Sequence, residues 1–173
     1  YTIDLSIKKK LDQKVNIKDF YSTIILEAKQ LINDCYINKK IIHSIIKKYI
    51  INDKEFFNMP EKLIEINTAI VEIKFICLPH NEYQNVIEIF KKSNLNVINF
   101  FSSSLVKSFN YINFFKDNKS VVFLDIGLER TTAIFFNRQK LDLLKSISIG
   151  GNHISKDISQ IMKLSVADSE ILK

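Results

Sequence analysis

The sequence predicts a mixed α/β (α+β) protein, in which a three-stranded β-meander and a helix follow a smaller α+β module. Residues 120–126, 131–136 and 141–149 are apolar or β-branched segments separated by short polar loops, as expected for a meander. Beyond a pair of glycines, isoleucine and methionine recur at helical spacing over residues 154–162. With 173 residues, 46% of them hydrophobic, the chain can form one large or two small domains.

The part of the chain before the meander has its own pattern. Asn16 and Asp19 are residue types that cap a helix, and an apolar face follows them at helical spacing. Two segments rich in β-branched residues come next, and the second alternates as in a sheet with two different faces. The predicted elements are a helix over 17–32, strands over 41–52 and 69–78, a helix from about Asn81 and a strand over 95–100.

These elements divide the chain into four segments. Ser165 and Asp168 have the spacing of a capping box that opens a helix near Lys173, and the chain has no initiator methionine, so we expect an internal fragment of a longer protein. The predicted segments are the end of a first subdomain (1–16), the small α+β module (17–100), a connecting helix (101–118) and the start of a second domain (119–173).

One carboxylate and three glycines stand at places in the meander where a ligand can approach. Asp125 and Gly127 end the first strand, and Gly150 and Gly151 separate the third strand from the helix. Taken alone, each group can be an ordinary turn or connector. Because adjacent glycines allow close approach to the backbone and a helix start offers N–H groups, their combination in one unit favours a phosphate-binding site.

Composition and motif spacing exclude several other classes of function. The net charge of +6 comes from lysines in short groups, typical of solvated faces, whereas a nucleic-acid surface needs arginine and aromatic residues interleaved on one face. Cys35, Cys77 and the three histidines fit no zinc-ligand spacing. Ser102 to Ser104 precede a helical stripe and are expected to cap it, and no segment has the roughly 20 apolar residues of a membrane span.

Three segments of the second half resemble a known family. They are DIGLERTTAIFF from Asp125, ISIGGNHISKDIS around Gly150, and SVADSEILK at the chain end. Together they resemble the bacterial cell-division protein FtsA, a member of the actin-like ATPase superfamily with its ribonuclease-H-like halves. Residues 40–43, 49–53 and 58–60 are similar to the small interaction subdomain that distinguishes FtsA from other actin-fold proteins.

The resemblance implies an adaptor that binds ATP, self-associates and links the FtsZ ring to the membrane. Its partners would be FtsZ, other division proteins and further copies of itself, with no nucleic acid. It would lie at the inner face of the cell membrane at the division site, held by a segment outside these 173 residues. The cofactors implied are ATP and magnesium in the full-length protein, and the fragment alone is not expected to hold them firmly.

The resemblance also assigns roles within the second phosphate loop and the glycine pair. Hard cations prefer carboxylate and water oxygens, and phosphates prefer backbone N–H and hydroxyl donors, which agrees with these roles. The implied site consists of Asp125 holding magnesium through water, Gly127, Thr131 and Thr132 facing the phosphates, and Gly150 and Gly151 closing the pocket.

The loop departs from the family pattern at Leu128, Glu129 and Arg130, where small residues are usual. Bulky side chains restrict approach to the backbone and Glu129 repels phosphate, whereas Arg130 offers compensating donors. We therefore expect weaker or altered nucleotide binding, little hydrolysis and no catalytic residue in this segment. Two alternatives remain: another actin-fold ATPase such as a PilM-like pilus-assembly protein, which should replace Asn152 and His153, and a plain α+β interaction module.

Overall fold

A computed structural model of the chain describes residues 1–10, 17–58, 60, 66–112, 114–115 and 119–173. These residues form two compact units, Tyr1–Ser102 and Ser103–Lys173, each of which combines strands and helices, so the predicted mixed α/β class is confirmed. The elements are β1 (Thr2–Lys10), α1 (Ile17–Cys35), β2 (Lys39–Ile51), β3 (Lys54–Phe56), β4 (Thr68–Pro79), α2 (His80–Lys92), α3 (Ser103–Ile112), β5 (Ser120–Ile126), β6 (Thr131–Asn137), β7 (Lys140–Ile147), α4 (Gly151–Met162) and α5 (Val166–Leu172).

The first unit is built on a four-stranded antiparallel sheet with strand order β1-β4-β2-β3. Alternate residues of the central strand β4 point to the same face, and those at positions 69, 71, 73, 75 and 77 are all buried. They share one hydrophobic core with Ile24, Ala28 and Ile32 of α1. The apolar faces predicted for the helix and for the strand therefore pack together in a single core.

Two features of this unit differ from the sequence prediction. The sequence assigns residues 1–16 to a preceding subdomain, whereas β1 pairs along its whole length with β4, from Thr2 opposite Ile76 to Lys10 opposite Thr68. Residues 95–100, predicted as a closing strand, form no strand, because β-branched composition does not make a strand without a neighbour to hydrogen-bond. Asn16, one of the predicted helix caps, lies outside the described residues, and the side chain of the other, Asp19, is not described.

The second unit contains α3, the predicted meander and two further helices. The strands are antiparallel in the order β5-β6-β7, and Ile134, Phe136 and Leu141 are almost fully buried. Rings of Phe109 on α3 and Phe123 on β5 contact Phe136, with centroids 5.6 and 5.8 Å away. The helix predicted to connect two domains, α3, thus packs on the meander and belongs to this unit.

The end of the chain forms the capped helix that its sequence predicts. The Asp168 N–H donates to the Ser165 hydroxyl oxygen at 3.1 Å, which satisfies one of the free N–H groups at the start of α5. Within the described ranges, the structure contains no helix with the length and apolar character needed to cross a membrane.

Candidate functional site

The loop after β5 and the start of α4 are in direct contact. Gly127 N–H donates to the carbonyl of Arg130 at 2.8 Å and closes the loop. The N–H groups of Gly151 and Asn152 then donate to the carbonyls of Gly127 and Leu128, at 2.9 and 2.8 Å. The loop carbonyls therefore cap the helix, and the loop that follows Asp125 contacts the glycine pair.

Gly150 is required by this contact and not by its backbone conformation. Its φ of −149° is extended and open to any residue. A Cβ at this position, however, would lie 2.4 Å from the Gly127 oxygen and 2.6 Å from both the Arg130 nitrogen and the Leu128 oxygen. All three are main-chain atoms of the loop, so any side chain here would push the loop away from α4.

Gly151 is in a more open position. A Cβ there would lie 3.3 Å from the Lys173 ammonium nitrogen, the mobile end of a long side chain, and 3.8 Å from the Gly127 oxygen. The two adjacent glycines thus have different functions: Gly150 lets the loop and helix touch, and Gly151 is the first residue of the helix.

The N–H groups at the start of α4 are already used by the protein. Besides the two that cap onto the loop, the Gly150 N–H donates to Nδ1 of His153 at 3.1 Å, and the His153 N–H donates to the Gly150 carbonyl at 3.0 Å. The sequence argument expected free N–H groups here for an anion. It could not detect that loop carbonyls, whose positions depend on the tertiary fold, reach these donors first.

Both threonine hydroxyls of the predicted site bond to the neighbouring strand segment. Thr131 Oγ1 donates to the Ile149 carbonyl at 2.7 Å, and Thr132 Oγ1 lies 2.8 Å from the Ser146 hydroxyl oxygen. Thr132 is also buried, with 7% of its surface exposed. The structure places them at the same end of the meander as Asp125, and their contact with phosphate stays a prediction.

Asp125 is held by two side chains from α3. The Ser104 hydroxyl donates to Oδ2 at 2.6 Å, and the Lys107 ammonium lies 3.3 and 3.4 Å from the two carboxylate oxygens. The Ser104 hydrogen bond, followed by the Lys107 contacts, lowers the pKa of Asp125 below its ordinary value of 3.8. Asp125 is therefore a charge-compensated carboxylate.

Sequence reasoning missed both partners of Asp125. It expected Ser104 to cap a helix and gave Lys107 no role. Their i, i+3 spacing, which places them on one face of a helix, is the sequence signal that links them. Which strand that face would meet could not be read from the sequence.

The bulky loop residues are partly explained by their contacts. The Glu129 carboxylate accepts a hydrogen bond from the Asn152 side-chain amide, so it is fixed against α4, while Arg130 is exposed. Asn152 thus joins loop and helix by both its main chain and its side chain.

The described residues supply few ligands for a magnesium ion. Magnesium usually keeps several waters and takes one or two carboxylates together with substrate phosphates. Asp125 supplies one carboxylate, but both of its oxygens already have donors, and no three His, Cys, Asp or Glu side chains converge within the part of the chain that is described. A magnesium ion would need water and phosphate oxygens for its remaining ligands.

Comparisons with known proteins find a family whose sequence pattern matches the second unit. Residues 122–173 match the family model described as cell division protein FtsA. Cell division protein FtsA of Bacillus subtilis (strain 168) is 23% identical over 149 residues, which are 86% of this chain and 33% of the relative. The chain thus spans about a third of the length of that curated relative.

One solved structure has a similar fold. A chain of the PilM-PilN type IV pilus biogenesis complex matches with a TM-score of 0.60 and 15% identity, over 99% of this chain and 47% of its own. A protein with actin-like ATPase fold and unknown function from Bacteroides thetaiotaomicron matches with a TM-score of 0.33 and 13% identity, over 92% and 52%. The resemblance to FtsA is confirmed as a similarity: residues 122–173 match the FtsA family model, most of the chain is similar in sequence to the Bacillus subtilis protein, and the match with the pilus complex shows a similar fold.

Proposed function

We propose that this chain is part of an actin-like cell-division adaptor of the FtsA type. The observation that carries the proposal is that the family match, residues 122–173, covers the contacting loop and helix together with Asp125. In the full-length protein, the adaptor would self-associate and connect FtsZ to the inner face of the cell membrane at the division site.

Within this function, the second unit would form one wall of an ATP site. Asp125 would face a hydrated magnesium ion, Gly127 and the two threonines would approach the phosphates, and the glycine pair would shape the wall. Thr131 and Thr132 would have to exchange their present bonds to Ile149 and Ser146 for bonds to phosphate. Because the loop carries bulky residues and Glu129 is fixed at α4, we expect weak binding and little or no ATP hydrolysis.

The first unit would supply protein contacts. Its sheet has α1 on one face, and several large apolar side chains outside that core are exposed, among them Ile89, Ile98 and Phe101. Where such side chains lie together on a surface they form an interaction site, and we infer that these side chains would contribute to one. The proposed partners are FtsZ, other division proteins and a further copy of the protein, with no nucleic acid among them.

A PilM-like pilus-assembly protein is the second candidate. The TM-score of 0.60 supports it at the level of fold alone. Retention of Asn152 and His153, each with a specific bond at the loop–helix contact, favours the FtsA-like assignment.

A paired binding experiment separates the two candidates. Tagged full-length protein is presented to FtsZ and, in parallel, to PilN, the partner that the pilus complex contains. The FtsA-like proposal predicts capture of FtsZ and not of PilN. Capture of PilN alone would reverse the assignment, and capture of neither by folded protein would contradict both.

A further inference from the structure

Asp125 has a lysine partner that no family resemblance assigned. The Lys107 ammonium lies 3.3 Å from Oδ1 of Asp125, while the Ser104 hydroxyl holds Oδ2 at 2.6 Å. Both donors come from α3, whose ring of Phe109 packs on the meander, so they are carried by a structured element. The side chain of Asp125 is 29% exposed and that of Lys107 is 64% exposed, which leaves the ammonium open to a ligand.

A positive charge at this place changes what Asp125 can bind. A carboxylate with an ammonium group beside it attracts a hydrated divalent cation less strongly, because the two cations repel each other. A phosphate oxygen placed beside the same carboxylate would meet the ammonium directly, and such charge-assisted hydrogen bonds are among the stronger polar contacts in proteins. The geometry therefore gives a phosphate oxygen a contact that does not need a metal ion.

We propose that Lys107 is the resident countercharge of this site and that it makes nucleotide binding only weakly dependent on magnesium. The proposal rests on the proposed ATP site. In it, Ser104 fixes the carboxylate, Asp125 holds the ammonium in place, and Lys107 compensates the phosphate charge that a metal ion would otherwise carry. Lys107 is thus a specificity-determining residue that lets the site accept nucleotide with or without magnesium.

The test measures ATP binding to the full-length protein by calorimetry, once with excess magnesium and once with excess EDTA. We expect wild-type affinities in the two buffers to lie within about tenfold of each other. The variant Lys107→Gln should lose about tenfold in EDTA, because one charge-assisted contact is removed, and much less in magnesium. Lys107→Arg, which keeps the charge, should restore binding in EDTA.

Lys145→Gln is the matched control, since it removes the same charge from the same unit. Asp125 pairs with Thr132, which in turn pairs with Ser146, so these three residues share one face of the sheet. Lys145 is the neighbour of Ser146 in the strand and is exposed, so its side chain lies on the opposite face from Asp125. Equal effects of both glutamine variants, or a wild-type protein that binds ATP only with magnesium, would overturn the role of Lys107 while leaving the ATP site. Absence of ATP binding in both buffers would instead overturn the proposed site itself.

Discussion

The substitution Gly150→Ala tests whether the glycine pair serves to join the loop to α4. The added Cβ would meet three main-chain atoms of residues 127, 128 and 130 at 2.4 to 2.6 Å, closer than any stable contact. None of these atoms belongs to a flexible side chain that could turn away. The loop must therefore move, which breaks the bonds from Gly151 and Asn152 to its carbonyls.

The expected cost follows from these contacts. Two hydrogen bonds contribute about 0.5 to 1.5 kcal/mol each, and forcing an extra methyl group into a packed contact costs about 1 to 3 kcal/mol. We expect Gly150→Ala to lower the free energy of unfolding by about 2 to 6 kcal/mol. Gly151→Ala, where the nearest atom is the Lys173 ammonium at 3.3 Å, should be neutral or slightly stabilising because alanine favours the helix.

Urea unfolding followed by far-ultraviolet circular dichroism measures both variants, since the chain has no tryptophan. Hydrogen exchange adds a local measurement: the amides of Gly151 and Asn152 should lose protection in Gly150→Ala and keep it in Gly151→Ala. If Gly150→Ala unfolds within about 0.5 kcal/mol of wild type and keeps this protection, the packing argument is refuted.

Three further predictions concern the first unit. Asp4→Asn should lower the free energy of unfolding by about 1 to 3 kcal/mol, because it leaves the ammonium of Lys74, whose side chain is 2% exposed, without its carboxylate partner at 2.7 Å. Adding Lys74→Met to this variant should recover stability in urea unfolding, and no recovery would contradict the ion-pair argument. Burial lowers the pKa of His43 below 6.5, and its Nε2 accepts a hydrogen bond from the Ser102 N–H at 3.0 Å, so the contribution of neutral His43 to stability should be fully present above pH 6.5 and should fall as the pH drops through the lowered pKa. His43→Gln should remove this part of the pH dependence of Tm, and an unchanged profile would show that another group titrates. Tyr21→Phe should be neutral or stabilise by up to about 1 kcal/mol, because the buried hydroxyl has no hydrogen-bond partner among the described residues; a loss of more than about 1 kcal/mol in thermal unfolding would mean that the hydroxyl is bonded.

The elements that the sequence predicted well are those specified by local periodicity. The alternation in β4 and the helical repeats of α2 and α4 are properties of neighbouring residues, and each element lies within a few residues of its predicted bounds. The capping box at Ser165 is local in the same sense. The meander was also predictable, because short loops between strands favour antiparallel neighbours.

The features that the sequence did not predict depend on distant partners. β1 carries no signal that it pairs with β4, whose partner residues lie between Thr68 and Ile76, far along the chain. Residues 95–100 have strand composition but lack a strand beside them in the described part of the chain. For the site, residue types pointed to Asp125 and the glycines, whereas Ser104 and Lys107 became recognisable only when α3 was seen against β5.

The loop's departure from the family pattern also has a physical explanation in this contact. The bonds that join the loop to α4 use the main-chain carbonyls of Gly127 and Leu128, so they do not require small side chains at Leu128, Glu129 or Arg130. The contact instead requires a residue without a side chain at position 150, where the helix begins. The loop can therefore accept bulk and charge on its outer surface while its connection to the helix is kept. The charged side chains of Lys107 and Arg130 near the end of β5, and of Glu129 bound to Asn152, are therefore compatible with the loop–helix contact.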